Sequence, residues 1–128
     1  MYGRTVYTSL RRRADFQRLH AQGRRKGDTV LQVRALPTPS QVPLASPLRL
    51  GILVSKKYGS AVERNRFKRI VRAALRSLRE ACVPGWDILI LPREARGVKM
   101  PEIRDALRRL LSALGVTRDT DPQRTEGD

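Results

Sequence analysis

The side chains best suited to chemistry in this 128-residue chain are cations. Lys56, Lys57, Arg64, Asn65, Arg66, Lys68, Arg69 and Arg72 share one stretch, KKYGSAVERNRFKRIVRAALR, and from Arg64 to Arg79 no acid interrupts it. Guanidinium groups fork onto phosphate bidentately and stack on bases, so the pattern suits capture of a polyanion, RNA above all. Groups that break bonds are scattered by comparison. Asp15, Asp28, Glu63 and Asp87 show no paired spacing, His20 is the only histidine and Cys82 the only cysteine. General acid–base work and metal-assisted hydrolysis need paired acids or a ligand set. No catalytic residue and no metal ligand is therefore expected, and a self-sufficient nuclease is the weakest reading. Cys82 has no partner for a disulfide within the chain and is expected as a small buried residue, which fits a reducing cytosol.

Composition points the same way. Lys and Arg total 27 against 12 acids, for a net charge of +15 and a pI near 11.5. Such self-repulsion strains a compact state and argues for a polyanionic partner, nucleic acid first and a membrane surface second. The longest apolar runs, such as DILILP, are too short to cross a bilayer, so no membrane partner and a cytoplasmic location are expected. No small-molecule substrate is expected either. The tail from Arg118 carries Asp119, Asp121, Glu126 and Asp128 without apolar periodicity, so 118–128 reads as a disordered acidic tail.

The length favours one domain, assigned to 1–117, with a core of Leu, Val, Ile and Ala. SLRRRADFQRLHAQG reads as a short helix with Ser9 as cap and Gly23 as stop. DTVLQVRAL and LRLGILVS read as strands, and Gly51 in the second marks a bulge or a close approach by another group. PTPSQVPLASP, with four prolines in eleven residues, is an exposed loop, placed at 35–47. KKYGS is a turn, and a helix follows from about Ala61 to Cys82. WDILILPR is a strand buried on both faces or nearly so. MPEIRDALRRLLSALG is an amphipathic helix with an apolar stripe of Ile103, Leu107, Leu110, Leu111 and Leu114, stopped by Gly115. The order αββαβα makes a two-layer α/β sandwich of the α+β class. General rules favour a right-handed crossover in its βαβ unit.

The charged helix resolves into two arcs at ~100° per residue. With Arg64 at zero, Phe67, Ile70, Val71, Ala74 and Leu78 gather on one side, extended by Leu75 and Cys82. Asn65, Arg66, Lys68, Arg69, Arg72 and Arg76 occupy the other, and Val62 falls among them, which predicts an irregular or locally packed first turn. A solvating face normally mixes signs, whereas like charges at i,i+4, as in Arg64–Lys68–Arg72–Arg76, repel by tenths of a kcal/mol each. Phosphates on that face would offset the repulsion and release counterions.

The ordered string LGILVSKKYGSAVERNRFKRIVRAALR closely resembles the central block of the bacterial ribonuclease P protein subunit. Ser55, Lys56, Lys57, Gly59, Ala61, Val62, Arg64, Asn65, Arg66, Lys68, Arg69 and Arg72 all match that family's pattern. LRRRADFQRLHAQG and WDILILPR resemble its first helix and its Asp-initiated strand, so the likeness runs over roughly 9–114. The resemblance implies a ribosomal protein S5 domain 2-like fold with a left-handed βαβ crossover, against the common hand. It implies a protein that binds a catalytic RNA subunit and, with it, cuts the 5′ leader from precursor tRNA. In that family the RNA and its bound Mg²⁺ carry out the hydrolysis. It also implies two surfaces. Lys56, Lys57, Arg64, Asn65, Arg66, Lys68, Arg69 and Arg72 would face the RNA. A cleft drawing on Phe16, His20, Val30, Gln32 and Ser55 would hold the single-stranded leader, though His20 and Gln32 stand where relatives often carry aromatics. The alternative is a structural RNA-binding protein of ribosomal type with the same fold.

Overall fold

The computed structural model describes residues 6–93 and 99–118. The expected tail, apart from Arg118, and the middle of the loop after Arg93 lie outside them. Among the described residues five strands and three α-helices form: β1 (Tyr7–Ser9), α1 (Arg13–Gln22), β2 (Arg24–Gly27), β3 (Leu31–Pro37), β4 (Leu48–Ile52), α2 (Ala61–Ser77), β5 (Trp86–Pro92) and α3 (Met100–Leu114). They build one sheet in the order β1-β4-β5-β3-β2. β4 runs parallel to β5 and to β1, while β3 runs antiparallel to β5 and to β2.

Strand alternation sorts the core. Leu31, Val33, Ala35, Leu48, Leu50, Ile88 and Ile90 turn one face of the sheet to α2 and α3, which bury Phe67, Val71, Ala74, Leu75, Ile103, Leu107 and Leu111 against it. On the other face Leu89, with Leu36 and Leu91 at its margin, meets Leu10, Phe16 and Leu19. The α+β class therefore holds, with α2 and α3 as the helical layer and α1 covering part of the second face.

Several elements differ from expectation for local reasons. β1 and β2 are too short, and β2 too basic, to carry a strand signal; pairing with β4 and β3 makes them strands. Ser9 ends β1, and the N-cap of α1 is Arg12, without a side-chain cap. α2 stops at Ser77, and a 3₁₀ turn at Arg79–Ala81 carries the chain on to buried Cys82. The proline-rich loop starts after Pro37, because Ala35 is buried in β3. Its ends are pinned: Thr38 N–H donates to Gly85 O (2.8 Å), and the buried Ser46 hydroxyl donates to Leu48 O (2.6 Å). Gly51 marks a close approach rather than a bulge. Its ladder with β5 is unbroken, and a Cβ there would meet Phe16 Cε1 at 2.7 Å and Leu89 Cδ1 at 3.1 Å. Gly115 closes α3 with φ of 83°, the left-handed conformation that glycine adopts without a steric cost.

Candidate nucleic-acid interface

α2 starts cleanly. Ser60 Oγ accepts from Glu63 N–H at 3.2 Å and Glu63 Oε1 accepts from Ser60 N–H at 2.8 Å, a reciprocal capping box. The first turn is therefore regular, and Val62 is 78% exposed in the middle of the charged arc, neither displaced nor packed. Ahead of it, a 3₁₀ turn at Lys56–Tyr58 sets Lys56 and Lys57 in solvent, while the Tyr58 ring leans on Phe67 with centroids 5.5 Å apart. Arg64 Nη1 donates to Gly59 O at 2.7 Å, so this arginine also braces the turn.

The rest of the face is open. Asn65, Arg66, Arg69 and Arg72 are exposed and Lys68 is half-buried. Among the described residues none of their side chains has a hydrogen-bond or ion-pair partner. At the edge of the sheet, Lys68 and Arg72 border a recess with Leu10, Phe16, Gly51 and Ile52. The cationic face of α2 thus adjoins the aromatic ring of α1 across the end of β1.

The second surface assembles only in part. Phe16 is half-buried against Leu10, Leu19 and Leu89, serving the core and lining that recess together. His20 is exposed near the end of α1. Gln32 lies on the α1 face of β3, where its Oε1 accepts from Arg34 Nε at 3.2 Å. Ser55 is exposed at the start of the 3₁₀ turn. Val30 belongs elsewhere. It precedes β3, packs against the core beneath α2 and α3, and borders a recess with Arg93 and Arg109. The polar residue of β3 that reaches α1 is Arg34, whose Nη1 donates to His20 O. Alternation from Gln32 names Arg34 directly, but an arginine inside an apolar strand gave no reason to look there.

Burial, with Arg25 directly opposite it in β2, lowers the basicity of Arg34. The carboxylates are engaged in holding the fold. Asp87, fully buried, accepts from Arg49 Nε (2.8 Å) and Nη2 (2.7 Å), Arg18 Nη2 (2.5 Å) and Thr38 Oγ1 (2.7 Å). Arg49 also reaches Asp15 at 3.2 Å. Asp28 Oδ1 accepts the backbone N–H groups of Val30 (2.8 Å) and Leu31 (2.9 Å), and Oδ2 pairs with Arg109 at 2.5 Å. Burial by itself would raise this carboxyl, but those backbone donors and Arg109 outweigh it and hold it below the usual range. Burial pushes the Cys82 thiol up to about 11, against a weaker opposing pull from Arg118, so it is not a nucleophile at neutral pH. Among the described residues no three His, Cys, Asp or Glu gather as a metal site.

Comparison with known proteins adds a lineage to this geometry. The model of the family described as Ribonuclease P matches residues 6–115. The chain is 36% identical over 111 residues to the ribonuclease P protein component of Herpetosiphon aurantiacus, covering 86% of each. It is 37% identical over 103 residues to that of Dehalococcoides mccartyi, covering 80% of each. The structure of the Staphylococcus aureus RNase P protein superposes with a TM-score of 0.73 at 28% identity, over 86% of this chain and 97% of that one. The Thermotoga maritima RNase P protein superposes with a TM-score of 0.69 at 28% identity, over 82% and 96%.

Proposed function

The chain belongs to the ribonuclease P protein family, the protein component of a ribonucleoprotein of tRNA processing, and from that premise we propose how it serves its RNA partner. The protein binds the ribonuclease P RNA through the outer face of α2 and holds the single-stranded 5′ leader of precursor tRNA beside Phe16. Endonucleolytic cleavage of that leader is the work of the assembly, not of this chain alone. Processing of precursor tRNA places it in the cytoplasm. The observation that carries the reading is the cationic face itself: Lys56, Lys57, Arg66, Lys68, Arg69 and Arg72 stand on ordered backbone without an intramolecular anion among the described residues. A row of like charges is self-repelling, and a phosphodiester backbone supplies the missing charge.

The leader surface follows from the recess where Phe16, Gly51, Lys68 and Arg72 meet. A ring and two cations side by side suit one unpaired base and its phosphate, the combination by which single strands are held. His20, Gln32 and Arg34 extend this surface along α1 and β3 with hydrogen-bonding groups. Ser55 would contribute at its other end, by resemblance. Mg²⁺ belongs to the RNA in this reading, since the carboxylates of Asp15, Asp28, Glu63 and Asp87 are committed to arginines or to backbone N–H groups. The alternative, a structural RNA-binding protein of ribosomal type, makes the same use of α2 but has no role for a leader.

Reconstitution separates the two. Purified protein, ribonuclease P RNA and precursor tRNA are combined at low Mg²⁺. The expected result is poor cleavage by RNA alone and restored 5′ maturation with protein. Protein that binds the RNA yet leaves cleavage unchanged would support the structural role, and protein that cleaves without RNA would overturn both.

A further inference from the structure

The sheet has a second basic edge. β2, RRKG, is exposed along its whole length and among the described residues pairs only with β3, so it forms the border opposite β1. Arg24 is occupied, its Nη1 lying 3.5 Å from Leu114 O at the end of α3. Arg25 and Lys26 have no side-chain partner among the described residues. Just past β5, exposed Arg93 lies over the backbone of Gly27, its Nη1 3.1 Å from where a Cβ would sit. Arg93 and Arg109 then border an open recess whose lining also includes Gly27, Asp28, Thr29 and Val30.

The acid in this region offers little competition. Asp28 turns Oδ1 to two backbone N–H groups and Oδ2 to Arg109, which leaves Arg93 without a carboxylate partner among the described residues. Arg25 sits directly opposite Arg34, a like-charge cross-strand pair that disfavours the sheet. A fold that keeps such a pair, with Lys26 and Arg93 beside it and Asp28 already engaged, is poised for an external anion. With five strands, this border lies four interstrand steps of ~4.8 Å, roughly 19 Å, from the β1 edge where Lys68 and Arg72 reach the sheet.

We propose that the β2 edge and the Arg93–Arg109 recess form a second phosphodiester-binding surface, by which the chain holds a separate stretch of RNA backbone while α2 holds the first. The proposal rests on the RNA-binding reading above. Its rival is that cations on an edge strand merely prevent pairing with another sheet.

The rival dictates the variant. Arg25→Glu and Lys26→Glu keep the edge charged, which blocks pairing equally well, yet repel phosphate; Arg93→Gln lies outside the strand. The triple variant and Arg93→Gln alone are titrated with ribonuclease P RNA over a range of KCl concentrations. An α2 variant, Arg66→Ala/Arg69→Ala/Arg72→Ala, is titrated in parallel. Each protein is first shown to be folded and monomeric by urea unfolding and sedimentation. The edge triple variant is expected to flatten the plot of log K against log salt by about 2–3 units, and Arg93→Gln by about one. Affinity at 150 mM salt should fall at least ~10-fold for the triple variant. Wild-type slopes in both edge variants overturn the proposal and leave edge protection as the role of these cations. The α2 variant scores the earlier reading separately: a wild-type slope there, with a flattened slope at the edge, would remove the α2 assignment and keep this one.

Discussion

On the α1 side of the sheet, Arg49 sets two nitrogens on Asp87 and a third contact on Asp15, while Arg18 adds its own bond to Asp87. On the outer surface of α2, Arg66, Arg69 and Arg72 rise from a helix just as ordered and meet no acid among the described residues. The residue type is the same and the employment is opposite. Asp87 joins α1 to β4 and, through Thr38, to the start of the proline-rich loop. In the first region charge is neutralised and holds the fold together. In the second it is left over, and only a partner can use it. A paired arginine therefore marks architecture in this chain, and an unpaired row of them marks the interface proposed above.

The comparison breaks most readily at Asp87. Replacing it by alanine strands Arg49, Arg18 and the Thr38 hydroxyl around a buried void. Removing one partner of a buried ion pair typically costs ~3–5 kcal/mol, and urea unfolding should show a loss of that order. RNA titration of the folded protein should keep the wild-type salt slope. A loss below ~1 kcal/mol would mean that the clamp does not hold α1 to the sheet.

Next in size is the contact between Gly51 and Phe16. Gly51→Ala forces a Cβ into the space of the Phe16 ring and Leu89, and overpacking of this kind costs ~1–3 kcal/mol. Phe16→Ala should lower the melting temperature by itself, because the ring closes the Leu10–Leu19–Leu89 cluster. In the double variant the Gly51→Ala penalty should shrink, a coupling that a double-mutant cycle measures. Additive losses would place the strain elsewhere. Leader affinity should fall in Phe16→Ala beyond what the lost stability explains, since the ring also lines the recess with Lys68 and Arg72.

What could be read in advance follows the same division between local and distant causes. The α2 arcs and the α3 stripe were legible because a 3.6-residue period is a property of neighbouring residues: Phe67, Val71, Ala74, Leu75, Ile103, Leu107 and Leu111 are buried as their spacing requires. β1 and β2 were not legible, since a run of three or four residues becomes a strand only when β4 or β3 lies beside it. The cationic row of α2 was legible by residue type and order, whereas the Arg49–Asp87–Arg18 clamp joins residues 38 and 69 positions apart. Val30, expected in the leader cleft, precedes β3 and packs against the core beneath α2 and α3 instead. The pleat that puts Gln32 and Arg34 on the α1 face is fixed by the pairing with β5, which no local pattern reveals.

A smaller effect tests a pair between these extremes, Asp28 with Arg109, where Asp28 is partly buried and Arg109 is largely in solvent. The carboxyl of Asp28 is held below its ordinary 3.8, despite a burial cost that pushes the other way, by two backbone donors and Arg109. A depressed folded-state value means that the charged form favours the native state. The advantage of wild type over Asp28→Asn should be complete above the unfolded carboxyl's range and should disappear as pH falls through the folded value beneath it. Paired urea titrations at pH 7 and at decreasing pH below 4 provide the check. An advantage that persisted at the lowest pH would assign the effect to shape or to the turn, not to charge.

The smallest change in stability belongs to the region with the most charge. Arg66→Ala, Arg69→Ala and Arg72→Ala remove three exposed guanidinium groups that touch no acid among the described residues, and alanine is the better helix former. The unfolding free energy from urea titration should change by no more than ~0.5 kcal/mol and can rise, because like-charge repulsion along the helix is relieved. Arg64 is left out of the set because its bond to Gly59 O makes it part of the turn. Binding should respond in the opposite sense, with the salt slope for ribonuclease P RNA falling by up to about three units. That dissociation is the sharpest form of the contrast with Asp87, whose loss should destabilise the protein and spare the slope. If the triple variant instead lost several kcal/mol of stability, these arginines would belong to the architecture, and the distinction between paired and unpaired cations would fail for this chain.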